Sequence, residues 1–453
     1  MNSPAIVSIL DHRNLGVIEA FVRDNPGTGV LTPSRGPANT SLAPLVATTA
    51  LRRMRSLFTR RGGGADGEVT LRRALRFFYD RLFSRAESGS SLSRLKAVLG
   101  SDEWLRFAAD RGWSGDEMAT IITERAQKDL PVIAAAISSL ERFERTHTLR
   151  LVIVNEDFTP VPRAVVLWAR ERGIPTLHLS HALTICQPST VHGRIMSDVL
   201  AVFGPRAAED YLDEDAETFA PLIRVTGNPA WDVYPPMITQ RDALRAELAA
   251  RHGCSPSSQW VMFATAWDGN QTAFSDEAVF GRTLRSFLEA CKALVEAGRN
   301  IEIVVKDRPP NREFGRARLA EIAREVGADH LPIVYDLGDI AKWVVAADVV
   351  VSVSSNVSIE ALLASTPAVN LATAEYAAMY PMFDAESGIV EVEAHELAAA
   401  LERILNDAGY RDQLRSEMRR SAPRYNLGFD GTATERVVKL MEELALPDAR
   451  REG

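Results

Sequence analysis

A run of small polar residues that starts at Ser354 is the part of this sequence best suited to bind an anion. Ser354, Ser355 and Asn356 follow the aliphatic run Val349–Val353 and precede the helical pattern Ile359–Ala364. Backbone N–H groups and the positive dipole end at a helix N-terminus attract negative charge, and serine and asparagine add donors without bulk. The run therefore predicts a site for a diphosphate, with simple capping of the helix as the alternative.

Two cations and a carboxylate are expected beside this run. Lys306 and Arg308 follow the predicted strand Ile301–Val305, and cations there would stabilise the negative charge that grows on a departing diphosphate. Glu360 lies one turn into the predicted helix, where its carboxylate could accept hydrogen bonds from a ribose diol. For the cations, the alternative is a solvated loop of mixed charge with turn-forming prolines. The residues expected at this edge are Thr265, Trp267, Lys306, Arg308, Ser354, Ser355, Asn356 and Glu360.

A second group of residues, suited to acid–base chemistry, lies in the first half of the chain. His181 follows a predicted strand, and an imidazole there could accept the proton of an attacking hydroxyl. Glu156 and Asp157 follow the strand Leu151–Val154, and either carboxylate could orient the histidine or bind the acceptor. Because adjacent residues of an extended chain point to opposite sides, we expect one of the two to face the site and favour Glu156. The alternatives are a structural His181, or a metal pair with His178 that lacks further ligands at suitable spacing.

Short aliphatic strands that alternate with helical segments must position these residues. Such alternation predicts βαβ units and parallel sheets buried on both faces. The series starts again at Trp260, so two α/β domains are expected. Ligands of open parallel sheets bind at the carboxyl ends of the strands, where the polar residues above occur. The predicted strands are Ala5–Leu10, Leu151–Val154, Ile174–Leu179, Val199–Phe203, Ile223–Val225, Trp260–Ala264, Ile301–Val305, Leu331–Val334, Val349–Val353 and Ala368–Leu371.

The domain limits are predicted from the same pattern. We expect an N-terminal domain over residues 1–233, a C-terminal domain over 241–430, and a last helix within 431–453 that could cross back to the first domain. Pro235 and Pro236 fix two φ angles and predict a semi-rigid connector between the domains.

A helical insertion is predicted within the N-terminal domain, at about residues 41–147, because Leu, Ala, Phe and Arg recur there at helical spacing. From Arg52 to Arg85 it contains ten arginines against three acidic residues. Such a basic segment could lie on an anionic membrane surface or hold an anionic glycan. The alternative is a set of salt-bridged helices packed on the domain.

The composition excludes several classes of protein. The 453 residues suffice for two cores, and a net charge of −8 argues against general nucleic-acid binding. Cys186, Cys254 and Cys291 are too widely spaced for a disulfide framework or a thiolate metal site. No secretory signal and no run of about 18 apolar residues occurs, so we expect a cytoplasmic protein. The glycine-rich phosphate loops, the nucleophile elbow and the zinc-protease motif do not occur either.

Six stretches between residues 150 and 440, in their order and spacing, resemble one enzyme class. They are residues 173–181, 225–232, 261–267, 304–306, 347–363 and 430–436. Together they resemble the glycosyltransferases of the GT-B class, in which two Rossmann-like domains face each other across a cleft. The closest resemblance is to bacterial enzymes of capsule, teichoic-acid and surface-polysaccharide assembly, including the CDP-glycerol glycerophosphotransferase-like group.

The resemblance implies transfer of a sugar from a nucleotide-activated donor to a hydroxyl of a glycan or lipid-linked acceptor. It implies that His181 acts in catalysis, that residues 354–360 bind the donor, and that neither a metal nor a further cofactor takes part. A place at the cytoplasmic face of the inner membrane would suit such an acceptor. Two departures concern the chemistry: the family has His-Gly and Lys-x-His-Pro where this chain has His181-Ala182 and Lys306-Asp-Arg308-Pro309.

Three alternatives share the same architecture. One is a CDP-glycerol-type glycerophosphotransferase, although the missing second histidine argues against it. Another is a nucleotide-sugar 2-epimerase, which shares Thr-Gly-Asn-Pro at residues 226–229 but has an N-terminal Gly-Thr-Arg-Pro-Glu that this chain lacks. The third is a non-catalytic protein that binds a nucleotide or a glycan.

Overall fold

The computed structural model describes residues 3–10, 14–33, 42–45, 88–110, 112, 114–181, 195–265, 277–307, 315–373 and 382–446. The chain divides into two compact units, each of them discontinuous in sequence. The first unit comprises Met1–Val202, Tyr211–Arg224 and Thr434–Gly453, and the second Phe203–Asp210 and Val225–Ala433. Each unit contains its own sheet, which confirms the prediction of two Rossmann-like domains.

The first unit is built on a seven-stranded sheet of order β3-β2-β1-β4-β5-β6-β7. β1 pairs in parallel with both β2 and β4, and β3 pairs antiparallel with β2 at the edge. The strand order reverses between β1 and β4, which makes this the switch point of the sheet. The strands are β1 Ser3–Ile9, β2 Gly29–Pro33, β3 Leu42–Leu45, β4 His147–Val154, β5 Thr176–Leu179, β6 Val199–Val202 and β7 Ile223–Val225.

The second unit is built on a parallel six-stranded sheet of order β10-β9-β8-β11-β12-β13. Counted within the unit this is 3-2-1-4-5-6, the order of dinucleotide-binding folds, and its switch point lies between β8 and β11. The strands are β8 Gln259–Ala264, β9 Ile301–Lys306, β10 Ile333–Asp336, β11 Val349–Ser352, β12 Ala368–Leu371 and β13 Ile389–Val392.

Helices flank both sheets. In chain order they are α1 Leu15–Asp24, α2 Ser88–Leu99, α3 Asp102–Ala109, α4 Gly115–Glu144, α5 Pro160–Arg170, α6 Pro205–Phe219, α7 Tyr234–Ile238, α8 Arg241–His252, α9 Glu277–Glu296, α10 Gly315–Glu325, α11 Ile340–Ala346, α12 Asn356–Ala364, α13 Leu397–Asn406, α14 Ala408–Tyr425 and α15 Ala433–Ala445. None of the described helices is both long and apolar enough to cross a membrane.

The first sheet is buried on both faces because its strands alternate between two cores. Ile6 of β1 packs in one cluster with Phe21 of α1 and Met441 of α15. Val7, its neighbour, points to the other face and packs in a cluster with Leu140 of α4. Burial on both faces explains why the strands read as aliphatic runs rather than as alternating patterns.

The predicted insertion is in part helical. α2, α3 and α4 lie within residues 41–147, and so does the edge strand β3. The basic segment from Arg52 to Arg85 lies outside the described residues. The predicted connector at Pro235 and Pro236 instead forms α7, which belongs to the second unit.

Candidate functional site

The switch point of the second sheet brings together three of the predicted segments. β8 and β11 pair directly, so Thr265, which follows β8, lies at the same edge as the start of α12, which follows β11. β9 pairs with β8 on its other side, with Lys306 in register with Ala264. The carboxyl end of β9 therefore borders the same edge.

The turn into α12 has an unusual backbone conformation. Ser354 has a φ of 43°, in the left-handed region that residues other than glycine rarely adopt. Its N–H donates to Asn370 Oδ1 at 3.0 Å. Ser355 is the N-cap, whose hydroxyl accepts from Val357 N–H at 3.3 Å, and Asn356 is the first residue of the helix. The predicted polar run thus forms the N-terminus of a helix at the switch point.

Lys306 and Asp307 form a buried network below this edge. The Lys306 ammonium donates to the Asp307 carbonyl oxygen at 2.8 Å, and the Asp307 carboxylate accepts from Thr265 Oγ1 at 2.8 Å and from Tyr335 OH at 2.6 Å. Burial lowers the pKa of Lys306. The carboxylates that oppose this shift are those of Asp336, Asp307, Asp339 and Glu360.

Tyr335 remains a donor in this network. Burial and then the hydrogen bond to Asp307 raise the pKa of Tyr335 above its ordinary value of 10.0. The phenol therefore keeps its proton at neutral pH and orients the Asp307 carboxylate. The sequence did not single out Tyr335: the predicted strand ends at Val334, whereas β10 continues to Asp336 and includes Tyr335.

Glu360 lies in α12 and is 2% exposed. Its two carboxylate oxygens accept from Trp231 Nε1 at 3.3 Å and from Tyr234 OH at 2.6 Å. Both donors precede the second sheet in sequence and fix the 229–238 segment to α12. Nothing in the local sequence around Glu360 indicates these partners.

In the first unit, two histidines share one acceptor, the carbonyl oxygen of Asn155. His178 Nε2 lies 3.1 Å from this oxygen and His181 Nδ1 lies 2.8 Å from it. Because a carbonyl oxygen only accepts, both nitrogens carry hydrogens. In the neutral form of His181 the proton is therefore on Nδ1 and the lone pair is on Nε2. A general base accepts a proton at such a lone pair.

The two adjacent carboxylates of this unit have different surroundings. Glu156 is half-buried and accepts from Thr159 Oγ1 at 2.6 Å. Asp157 is buried, and its Oδ2 accepts from the backbone N–H groups of Met196 and Ser197 at 2.8 and 2.9 Å. Its Oδ1 lies 3.6 Å from His178 Nδ1, an electrostatic contact beyond hydrogen-bond length.

These contacts decide the ionisation of Asp157. Burial alone would raise its pKa, but His178 and the two backbone donors outweigh burial and lower the pKa to about 2. Asp157 thus anchors the chain at residues 196–197.

The other predicted site residues, Trp267 and Arg308, lie outside the described residues, as do Ala182 and Pro309. Among the residues that are described, no group of three or more His, Cys, Asp or Glu could hold a metal ion.

Several solved structures share this fold along nearly the whole chain. The UDP-N-acetylglucosamine 2-epimerase from Neisseria meningitidis, bound to UDP-GlcNAc, matches with a TM-score of 0.55 and 11% sequence identity over 98% of this chain and 100% of that chain. The S. aureus protein MnaA in a co-structure with UDP matches with a TM-score of 0.51 and 13% identity over 97% and 96%. At such low identity the likeness concerns the fold, and it confirms the GT-B-type architecture of two Rossmann-like domains. The sequence matches no protein-family model and no curated relative.

Proposed function

We propose that this chain is a nucleotide-sugar-dependent enzyme, and more specifically a glycosyltransferase whose donor binds at the switch point of the second unit. One observation supports this most: Thr265, Lys306 and the N-terminus of α12 meet at a single edge of a sheet with dinucleotide-binding strand order. The structural neighbours that bind UDP and UDP-GlcNAc agree with a donor of that class.

In the proposed reaction, His181 takes the proton of the acceptor hydroxyl at Nε2 while the hydroxyl oxygen bonds to the anomeric carbon. The bond from that carbon to the donor's diphosphate oxygen breaks. The α12 dipole and the Lys306 ammonium stabilise the charge on the departing diphosphate. Glu360 accepts hydrogen bonds from the donor's ribose. The donor's phosphates are bound by Ser354, Ser355 and Asn356.

A second candidate is epimerisation of a nucleotide sugar at C2. It is favoured by the N. meningitidis epimerase, which matches this fold over nearly the full length of both chains. It would use the same donor site without an acceptor hydroxyl.

Binding and turnover assays with the intact chain separate these candidates. UDP, CDP, GDP and their sugar conjugates are tested for a rise in melting temperature, since a ligand that binds only the folded state stabilises it. Each binding conjugate is then incubated with and without a hydroxyl acceptor. Transfer supports the glycosyltransferase, isomerisation without acceptor supports the epimerase, and binding without turnover supports a non-catalytic protein.

A matched pair of variants tests the site itself. Lys306→Met should weaken nucleotide binding at least tenfold, because a buried cation at the edge proposed for the phosphates is lost. Lys342→Met is the control, since its ammonium pairs with Glu247 instead. Equal binding by the two variants would show that the nucleotide lies elsewhere.

We further propose that the acceptor is a surface glycan or a lipid-linked glycan, and that the Arg52–Arg85 segment contacts the inner membrane surface. Its ten arginines would favour anionic lipid. The chain should sediment with vesicles of anionic phosphatidylglycerol and not with neutral phosphatidylcholine. Recovery in the supernatant with both would rule the membrane contact out.

A further inference from the structure

A chain of hydrogen bonds runs across three neighbouring strands behind the turn into α12. Ser352 of β11, Asn370 of β12 and Glu391 of β13 lie in register. Ser354 N–H donates to Asn370 Oδ1 at 3.0 Å, and Asn370 Nδ2 donates to Glu391 Oε1 at 3.0 Å. The chain therefore links the turn to an edge strand two positions away.

Asn370 can hold only one amide orientation in this chain. A backbone N–H is a donor and a carboxylate is an acceptor, so the oxygen of Asn370 must face Ser354 and its nitrogen must face Glu391. Asn370 is fully buried within an otherwise apolar strand, Ala368–Leu371. A buried amide destabilises a fold unless both of its ends are bonded, and here both are.

Glu391 is itself fixed at a second point. Its Oε1 also accepts from Met382 N–H at 3.1 Å, so the carboxylate joins Asn370 to the chain that enters β13. Burial raises the pKa of Glu391, and the hydrogen bonds from Asn370 and from Met382 and Phe383 oppose that shift. The side chain that orients Asn370 is therefore held by the fold rather than left to rotate.

The conformation of Ser354 requires such support. A serine at a φ of 43° is strained and persists only where its surroundings fix it. The side chain of Asn370 supplies the acceptor for the N–H group of that same residue. A turn so held presents its following N–H groups in one direction.

We propose that Asn370 and Glu391 are positioning residues that hold the Ser354–Asn356 turn in the conformation that binds the donor's phosphates. This inference rests on the proposed function, because it assigns a role in the same nucleotide site. Neither residue needs to touch the nucleotide, since both act through the backbone of Ser354.

Variants that restore the turn by another route provide the test. With UDP as the probe, Asn370→Ala should weaken binding by roughly tenfold. Adding Ser354→Gly should restore part of the affinity, because glycine adopts a positive φ without support, although the Ser354 hydroxyl is lost. Ser365→Gly is the matched control, since Ser365 has a φ of 53° at the other end of α12 and should restore nothing.

A second exchange keeps the shape of the side chains and so guards against misfolding. Glu391→Gln keeps an oxygen that accepts from Asn370 Nδ2 and from Met382 N–H, so this variant should bind UDP nearly as well as wild type. Glu391→Met has a similar volume but no such acceptor, and it should weaken UDP binding. Equal UDP binding by these two variants, together with no rescue by Ser354→Gly, overturns the positioning role.

The results separate this inference from the function on which it rests. A wild-type chain that binds no nucleotide overturns the proposed function and this inference together. A wild-type chain that binds UDP while Asn370→Ala binds it equally well overturns only the positioning role. The positioning role is supported if Asn370→Ala weakens UDP binding and Ser354→Gly, but not Ser365→Gly, rescues that binding.

Discussion

Asp157 shows how the partners of a carboxylate, rather than its place in the sequence, decide what it does. Asp157 and Glu156 follow the same strand, and the sequence favours Glu156 for the site. In the structure, Asp157 is buried and holds the backbone at Met196 and Ser197, whereas Glu156 is half-buried. The Asp157 carboxylate therefore contributes to stability in a way that depends on pH.

The first prediction concerns that pH dependence. The pKa of Asp157 is about 2 in the folded chain against an ordinary 3.8, so the unfolded chain binds the proton first as the pH falls. The stabilisation, about 2 kcal/mol, is complete above the unfolded pKa and is lost as the pH falls toward 2. Urea unfolding should show that wild type has a larger free energy of unfolding than Asp157→Asn at pH 7, and that this gap narrows by pH 3. Asp24→Asn, at an exposed carboxylate, is the control, and a gap that is constant with pH would contradict the prediction.

The residues of the candidate site were predictable where they follow a strand directly, because a parallel sheet gathers such residues at one edge. Thr265, Lys306 and Ser354 were predicted in this way, and the structure places them at one edge of the second sheet. Their partners were not, because Asn370 and Tyr335 come from other strands and no local spacing connects them. A polar residue inside the aliphatic strand Ala368–Leu371 was the one signal that pointed to Asn370.

At the scale of elements, the central strands were predicted best. β4, β8, β9 and β11 are buried on both faces, so their aliphatic runs stand out from the sequence around them. β2, β3 and β13 were not predicted. β2 contains glycine and proline, and β13 is only partly buried and carries Glu391, so neither shows a strand pattern.

Elements also meet at points where the sequence gives no hint of the contact. Gly204, after β6, lies against the last turn of α14: a Cβ added there would come within 2.7 Å of the Tyr425 carbonyl carbon and would also meet the Arg424 carbonyl oxygen. Both obstacles are backbone atoms, which cannot rotate away. The contact therefore requires glycine for reasons of space alone.

The second prediction follows from that contact. Gly204→Ala should destabilise the fold by about 3 kcal/mol, since the backbone of α14 must shift. Gly16→Ala is the matched control: Gly16 lies in α1 with nothing within 4 Å of an added Cβ, and alanine should stabilise that helix by about 0.5–1 kcal/mol. Thermal unfolding of both variants measures the difference. Equal effects of the two changes would mean that α14 does not approach Gly204 this closely.

At the scale of the whole molecule, chain order and compact units do not coincide. Residues 225–433 belong to the second unit, yet the final helix α15 belongs to the first. Val437, Val438 and Met441 of α15 pack in the same cluster as Ile6 of β1. The sequence predicted this last helix and allowed for its return to the first domain. The strands against which it packs were not predicted, because hydrophobic spacing shows which face of a helix is buried and not what covers that face.

The third prediction tests whether the first unit depends on this returning helix. Met441 in α15 and Met418 in α14 are both fully buried, so Met→Ala at either position should cost about 2–5 kcal/mol. The two variants should nevertheless loosen different parts of the chain. Hydrogen exchange read by mass spectrometry should quicken in β1 and β4 for Met441→Ala, and near Gly388, which contacts Met418, for Met418→Ala. Protection of β1 that stays at the wild-type level in Met441→Ala would show that the core of the first unit forms without α15.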